Sequence, residues 1–229
     1  MRWIPFTFAL AIACAPLAAA DEHTKTAQRL DNAASLFTEV MGTPDRSIPQ
    51  DLLAKSHCIV LVPDLMKAAF GVGGKYGRGF ALCRAASGRG WGPPAAIRIE
   101  GGSVGFQIGV SSSDVVLLVM NERGMKRLSS SKFTIGADAT AAAGPVGRNA
   151  SAQTDAFMTA EMLSWSRSKG LFVGVSLDGA TLRNDLDENQ AMYGQRWSSK
   201  QILGSGAKAP AVAAKLIAAL NKHSMRETK

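Results

Sequence analysis

In three short segments of the chain, the residue types and their spacing are similar to those of known catalytic or ligand-binding motifs. The first is the glycine-rich run Gly71–Gly79, which contains Lys75 and is similar in composition to nucleotide-binding loops. A dinucleotide fingerprint requires glycine at its first, third and sixth positions, but the sixth position is Tyr76. A phosphate loop requires a glycine five residues before its Gly-Lys pair, and Ala69 stands there. The spacing therefore argues against a nucleotide site.

The second segment, Gly101–Gly105, has the Gly-x-Ser-x-Gly spacing of a hydrolase nucleophile. That motif needs its serine on a sharp strand-to-helix turn and a histidine that follows later in the chain. Here Ser103 is followed by strand-like alternation, the only later histidine is His223, and His57 is the only histidine between Ala27 and Gly204. We expect a glycine turn between two strands, and a hydrolase that uses Ser103 remains a minor alternative.

The third segment, Asp185–Asn189, begins like a calcium-binding loop. Gln190 and Arg196 occupy the positions at which such a loop needs glycine and glutamate. Acidic residues at the start of a helix, near the positive end of its dipole, account for the pattern better. The three histidines are too scattered to suggest zinc. The sequence therefore predicts no metal, no cofactor and no enzymatic activity.

Charge is distributed unevenly along the chain, whose formal net charge is +8. Seven basic residues lie between Lys55 and Arg98, where Asp64 is the only acid. Lys67 lies within the apolar cluster Leu65–Phe70. Cations beside insertable apolar groups are typical of surfaces that dock on anionic lipid, at about 1 kcal/mol per cation. The alternative is a solvated face over an ordinary core.

The first twenty residues have the pattern of an export signal. Arg2 precedes an apolar stretch that ends in Ala18-Ala19-Ala20, so we expect a signal peptide over residues 1–20. Cys14 lies in a segment similar to a bacterial lipoprotein box, and its acylation would anchor the chain to a membrane. Cleavage after Ala20 and lipidation at Cys14 both stay open. Either one predicts a periplasmic or secreted protein, or one anchored to the membrane as a lipoprotein.

The predicted compartment limits both partners and cysteine chemistry. A basic protein outside the cytoplasm is directed to anionic surfaces rather than to nucleic acid. Two cysteines, Cys58 and Cys83, remain after residue 20. Either they are joined by a disulfide, which an oxidising compartment permits, or each is a separate buried apolar residue.

Hydrophobic periodicity predicts the elements that position these residues. Apolar residues recur at helical spacing over Thr24–Met41, and short strand-like runs separated by glycine and proline fill Phe70–Val119. Helical texture returns after Asn184, and Pro210–His223 is predicted to be a basic amphipathic helix. We therefore expect an α+β fold with a central antiparallel β-sheet or barrel-like core and helices at the N- and C-terminal ends.

The same pattern divides the chain after the signal into two parts. Residues 21–204 are predicted to form one lipid-binding domain, and residues 205–229 a hinge followed by the C-terminal helix.

Seven motifs, in order along the chain, resemble the SYLF domain over roughly Ala27 to Gly204. They are Phe70–Gly79, Trp91–Pro94, Gly101–Gly109, Gly136–Asp138, Gly144–Arg148, Trp165–Phe172 and Asn189–Tyr193.

The resemblance implies a lipid-binding module. Eukaryotic relatives bind phosphoinositides, some fungal relatives bind and bundle actin, and bacterial relatives are typically exported or lipidated. For an exported chain, the implied partner is anionic phospholipid. In eukaryotic members an amphipathic N-terminal helix with basic residues contacts lipid. Here Lys25 and Arg29 of that helix are balanced by Asp31 and Glu39.

This departure shifts the predicted lipid contact to the glycine-rich run and to other basic turns. Glycine lets backbone amides approach a phosphate closely, and arginine can donate two hydrogen bonds to it. The candidate lipid-binding residues are Lys67, Lys75, Arg78, Arg148, Arg167 and Lys169. The predicted function is non-catalytic binding of anionic phospholipid headgroups at a membrane surface. The alternative is a cell-envelope scaffold or protein-interaction module without direct lipid affinity.

Overall fold

A computed structural model describes most of the chain after residue 14. The described residues are 15–43, 47–85, 87, 90–145, 160–168, 171–172, 177–204 and 206–224, with backbone alone at 15–20, 71, 103–108 and 172. Cys14, Arg148 and Lys169 lie outside the described residues, so their roles stay predictions.

Two long antiparallel strands form the centre of the fold. β1 (Cys58–Cys83) pairs with β2 (Ala95–Val119) in a register that runs from Cys58 opposite Val119 to Ala81 opposite Ala95. Five shorter described strands complete a seven-stranded sheet in which only the β4–β5 pair is parallel. They are β3 (Lys132–Thr134), β4 (Ala141–Ala143), β5 (Met162–Ser168), β6 (Leu171–Phe172) and β7 (Thr181–Asn184).

β1 curls back so that its two ends lie side by side. Cys58 and Cys83, its first and last residues, are joined by a disulfide. The backbone N–H of Arg84 donates to the carbonyl of His57 at 2.9 Å. A Cβ on Gly79 would lie 2.1 Å from the carbonyl oxygen of Leu61, so only glycine allows this approach. The expectation of several short strands, with a turn at Gly71–Gly79, was therefore wrong. The glycines of this run belong to one strand, and Gly77 and Gly79 make room for its own first half.

The disulfide restrains this curled strand in a simple way. It links residues 25 positions apart. In the chain-entropy model a bridge over such a loop stabilises the fold by about 3 kcal/mol.

Helices at both ends of the chain cover the sheet, which confirms the α+β class. They are α1 (Ala15–Met41), α2 (Gln50–Lys55), α3 (Glu122–Leu128), α4 (Leu186–Tyr193), α5 (Ser199–Gly204), a 3-10 turn (Ala211–Ala213) and α6 (Ala214–Ser224). α1 includes the peptide bond after Ala20. The predicted signal peptide over residues 1–20 stays a prediction. None of the described helices is both long enough and apolar enough to cross a membrane.

Alternate residues of β1 pack on opposite sides of the sheet, as the two-residue period of a strand requires. Ile59 and Leu61 belong to a core shared with Phe37 of α1 and Leu216 of α6. Val60 faces a second core that contains residues of α3 and β3. The central strands are therefore buried on both faces near their paired ends.

The close approach within β1 predicts a strong contrast between two glycine substitutions. Gly79→Ala should lower the free energy of unfolding by about 3 kcal/mol or more, because the new methyl group meets backbone that cannot retreat. Gly102→Ala should change it by less than about 1 kcal/mol, because no atom lies within 4 Å of the added Cβ. Urea denaturation of both variants checks this. Equal losses would show that the halves of β1 are not in contact.

Candidate functional site

The middle of the two long strands forms a two-stranded ribbon, Leu65–Tyr76 of β1 with Gly101–Ser113 of β2. On the outer edge of β2, strand β7 pairs only with Ile97–Glu100 and strand β5 only with Asp114–Val119. Between these limits the described residues give β2 no partner other than β1. The ribbon therefore extends beyond the covered part of the sheet.

Exposed apolar side chains concentrate on the ribbon. Of the seven large apolar side chains that are exposed among the described residues, five lie on it. They are Met66, Phe70, Val72, Tyr76 and Val110, and Phe70 is 81% exposed. A sixth exposed apolar residue, Leu171 of β6, lies beside the ribbon. It pairs with Ser168 at the end of β5, and Ser168 Oγ donates to the carbonyl of Ser112 at 2.9 Å. An apolar patch of this kind on a folded domain marks an interaction surface.

Two of the predicted lipid-binding lysines belong to the ribbon but differ in burial. Lys67 is half-buried on β1, opposite Ser111. Lys75 is only 7% exposed, and its Nζ donates to the backbone carbonyl of Asp178 at 3.1 Å. Burial lowers the pKa of both ammonium groups, and the charge of Lys75 lowers that of Lys67 further. Lys67 is thus the more accessible of the two lysines, and strand alternation places it on the opposite face of β1 from Met66 and Phe70.

Arg78, the third candidate, lies in a network of carboxylates at the base of the ribbon. Its Nε lies 2.7 Å from Asp185 Oδ2 and 3.4 Å from Glu188 Oε2, and its Nη1 lies 3.2 Å from Glu22 Oε1. Arg29 Nη1 contacts Glu188 Oε1. The network therefore joins α1, β1 and the start of α4.

The segment Asp185–Asn189 supplies the acidic side of this network. Asp185 caps α4, since its Oδ1 accepts from the backbone N–H of Glu188 at 3.2 Å. Asn189 Oδ1 accepts from the backbone N–H of Ala96 at 2.7 Å, which ties the helix to β2. The expected helix start is confirmed. Among the described residues no group of histidine, cysteine and acidic side chains could hold a metal ion.

Glu188 is fully buried from solvent, and this burial determines the pH range in which its carboxyl is protonated. Loss of solvation raises the pKa of this carboxyl to about 7, although the charges of Arg29 and Arg78 act in the opposite direction. Its Oε2 is buried and accepts no hydrogen bond from the described residues.

Arg167, the fourth described candidate, is also paired with carboxylates. Its Nη2 lies 2.6 Å from Glu39 Oε2 of α1 and 3.1 Å from Asp114 Oδ2 of β2. Asp31 of α1 similarly lies 3.2 Å from Lys215 Nζ of α6. The balanced charge of α1 is therefore explained by partners on the rest of the domain, which the sequence alone did not reveal.

Ser103 lies within β2, opposite Gly73, so the expected glycine turn at Gly101–Gly105 was wrong. Neighbouring Gly101 needs its small size, because an added Cβ would lie 3.2 Å from Ala180 Cα. His57 precedes β1 and donates its backbone N–H to Val119 at 2.8 Å. The strand backbone at Ser103 lacks the strand-to-helix turn that a nucleophile elbow requires.

Comparison with known proteins places these features in a family. The profile described as "Ysc84: Las17-binding protein actin regulator" matches residues 100–223, which include half of the ribbon and all of α4. The chain belongs to the Ysc84 family. This confirms the resemblance to the SYLF domain, and the family is described by binding rather than by a reaction.

Individual Ysc84 relatives extend the similarity to most of the chain. "SH3 domain-containing YSC84-like protein 1" of Xenopus laevis is 35% identical over 153 residues, 66% of this chain and 45% of the relative. The Rattus norvegicus protein of that name is 33% identical over 188 residues, 81% of this chain and 55% of its own length. "Protein YSC84" of Saccharomyces cerevisiae is 30% identical over 210 residues, 90% and 44% respectively. The chain spans about half the length of the curated relatives it matches.

The ion network predicts unequal costs for two arginine substitutions in this Ysc84 domain. Arg78→Met should lower the free energy of unfolding by about 3–5 kcal/mol, because it removes the counter-ion that the described ion pairs give to the buried carboxylate of Asp185. Arg196→Met removes an exposed pair with Asp187 and should cost less than about 1 kcal/mol. Chemical denaturation at neutral pH distinguishes them. A small loss at Arg78 would contradict the structural role of the network.

The raised pKa of Glu188 predicts that the stability of the folded domain depends on pH. Its pKa in the folded chain, about 7, lies above the usual 4.5, so the folded state binds the proton more tightly than the unfolded state. The resulting stabilisation is complete below pH 4.5 and is lost as the pH rises through about 7. Glu188→Gln should remove this fall from the dependence of Tm on pH. An unchanged profile would show that Glu188 does not titrate in this range.

Proposed function

We propose that this Ysc84 domain binds anionic phospholipid surfaces without catalysis, and that the ribbon makes the contact. The observation that carries the proposal is the concentration of exposed apolar side chains on the ribbon, which also carries Lys67, and on neighbouring β6. On the rest of the described surface only Val212 is a large exposed apolar residue.

The chemistry of this surface suits an interface between water and lipid. Full burial of a large apolar side chain contributes about 1.5–3 kcal/mol, so two or three inserted side chains outweigh one surface cation. Phe70, Val72 and Val110 are each more than two-thirds exposed. Lys67 adds attraction to anionic headgroups, and Arg148 and Lys169 are proposed to extend it. Affinity should therefore fall at high salt but persist in part, since the apolar term is not screened.

We also propose that the domain acts outside the cytoplasm. The signal-like residues 1–20 support this location, as does the Cys58–Cys83 disulfide, because such bonds persist mainly in oxidising compartments.

A protein partner is the second candidate function. The family description names a Las17-binding actin regulator, and a yeast relative is called "LAS seventeen-binding protein 3". Under this candidate the ribbon contacts a protein of the cell envelope, and the domain lacks direct lipid affinity.

Removal of one exposed ring tests the membrane proposal. Phe70→Ser should weaken co-sedimentation of the chain with anionic vesicles by about tenfold, because the lost transfer energy exceeds 1.4 kcal/mol. Val212→Ser removes an exposed apolar side chain from the C-terminal region and serves as the matched control. It should leave the affinity unchanged. Equal affinities for the two variants would exclude the ribbon as the contact.

Charge reversal provides an independent test of the same surface. Lys67→Glu should reduce pelleting with anionic vesicles several-fold at low salt, and the reduction should shrink as salt screens the charge. Lys126→Glu makes the same charge change on exposed α3, which follows the covered end of β2, and should have little effect. If the unsubstituted chain does not pellet at any salt concentration, direct lipid binding fails and the protein-partner function replaces it.

A further inference from the structure

A cavity of about 330 Å³ lies between α1 and β1 at the base of the ribbon. Met66 and Tyr76, two exposed residues of the ribbon, form one side of it. Lys25, Gln28 and Arg29 line it from α1. Spacings of three and four residues place these polar groups on one face of the helix. Hydrogen-bond donors therefore face a cavity that opens beside the proposed membrane contact.

The two arginines that line the cavity are both paired with carboxylates while Glu188 is ionised. Arg78 also lines the cavity, and it has Asp185 and Glu22 as partners in addition to Glu188. Arg29 differs, because Glu188 is the one carboxylate that the described ion pairs give it. Neutralising Glu188 therefore leaves the guanidinium of Arg29 without a counter-ion, whereas Arg78 keeps two.

We propose that Glu188 is a proton-controlled counter-ion of Arg29, and that its protonation creates a binding site for a phosphate group in this cavity. The proton binds at Oε2, the buried oxygen that accepts no hydrogen bond from the described residues. Arg29 then offers a planar pair of donors to phosphate, beside the Gln28 amide and the Lys25 ammonium, which also pairs with Asp21 at 2.5 Å. The inference rests on the proposed function, since the phosphate considered is that of a lipid headgroup beside the ribbon.

The surroundings of Glu188 place this proton within reach of mild acidification. The charged groups that face it are Glu22 and Arg29 from α1, Arg78 from β1, and Asp185 from the start of α4. Asp64 of β1 lies on the same cavity. Burial raises the pKa of Glu188 to about 7, against the effect of the two arginines. The site is therefore closed above neutral pH and opens below it.

Vesicle binding at two pH values tests the proposal. Affinity of the unsubstituted chain for vesicles that contain phosphatidic acid should rise about fivefold or more from pH 8 to pH 5.5. Glu188→Gln mimics the protonated carboxyl, so it should bind at pH 8 with the acidic affinity and show a much weaker pH dependence. Glu122→Gln, which removes one exposed acid on α3, is the control for net charge and should behave like the unsubstituted chain. Identical pH profiles for all three would overturn the proposal.

A second measurement identifies the source of the phosphate. It also distinguishes failure of this inference from failure of the proposed membrane function. NMR of the Arg29 side chain in Glu188→Gln should show a shift on addition of vesicles, of inorganic phosphate, or of both. A shift with inorganic phosphate indicates a general phosphate site, and a shift with vesicles alone indicates a headgroup site. No shift with either would overturn the inference. Absence of pelleting for every variant at both pH values would instead refute the proposed function. The NMR response of the Arg29 side chain to inorganic phosphate would then decide whether the inference holds.

Discussion

The close approach of the two halves of β1 fixes the position of everything else in the domain. Glycine at position 79 lets the strand return against Leu61, and the Cys58–Cys83 bond holds its ends together. β2 follows the same curve through its pairing with β1, whose register shifts between Val62 and Leu65 and between Phe70 and Val72. The paired ends are buried between helices and short strands, while the middle of both strands has no such cover among the described residues. The exposed ribbon is thus a consequence of how β1 is closed.

The ion pairs of α1 explain why the membrane contact is assigned to the ribbon rather than to this helix. Glu22, Arg29, Asp31 and Glu39 each have a partner on another element. These side chains hold α1 on the sheet and leave it little net charge for lipid. The same pairing occupies Arg78 and Arg167, two residues that the sequence suggests for headgroup contact. Of the two described candidates on the ribbon, Lys67 is half-buried and Lys75 is buried.

The sequence predicts the classes of element well where a local signal exists. Helical spacing identifies α1, and Asp185 followed by Glu188 marks the start of α4. The run Gly71–Gly79 misleads, because glycine signals a turn locally but here serves contact with residues far away in the chain. The pairing of Arg29 with Glu188 spans 159 positions, so no local pattern contains it. The exposure of Phe70 depends on which strands cover the sheet, and that is a property of the topology.

Depth measurement with brominated lipids tests the central claim, that the ribbon contacts the membrane, most directly. Tryptophan is introduced by Phe70→Trp on the ribbon or by Val212→Trp in the C-terminal region, and the fluorescence of the unsubstituted chain is subtracted. With anionic vesicles whose acyl chains carry bromine, membrane contact by the ribbon predicts strong quenching of the added tryptophan at position 70 and little at position 212. Equal quenching at both positions, or quenching at position 212 alone, would contradict it.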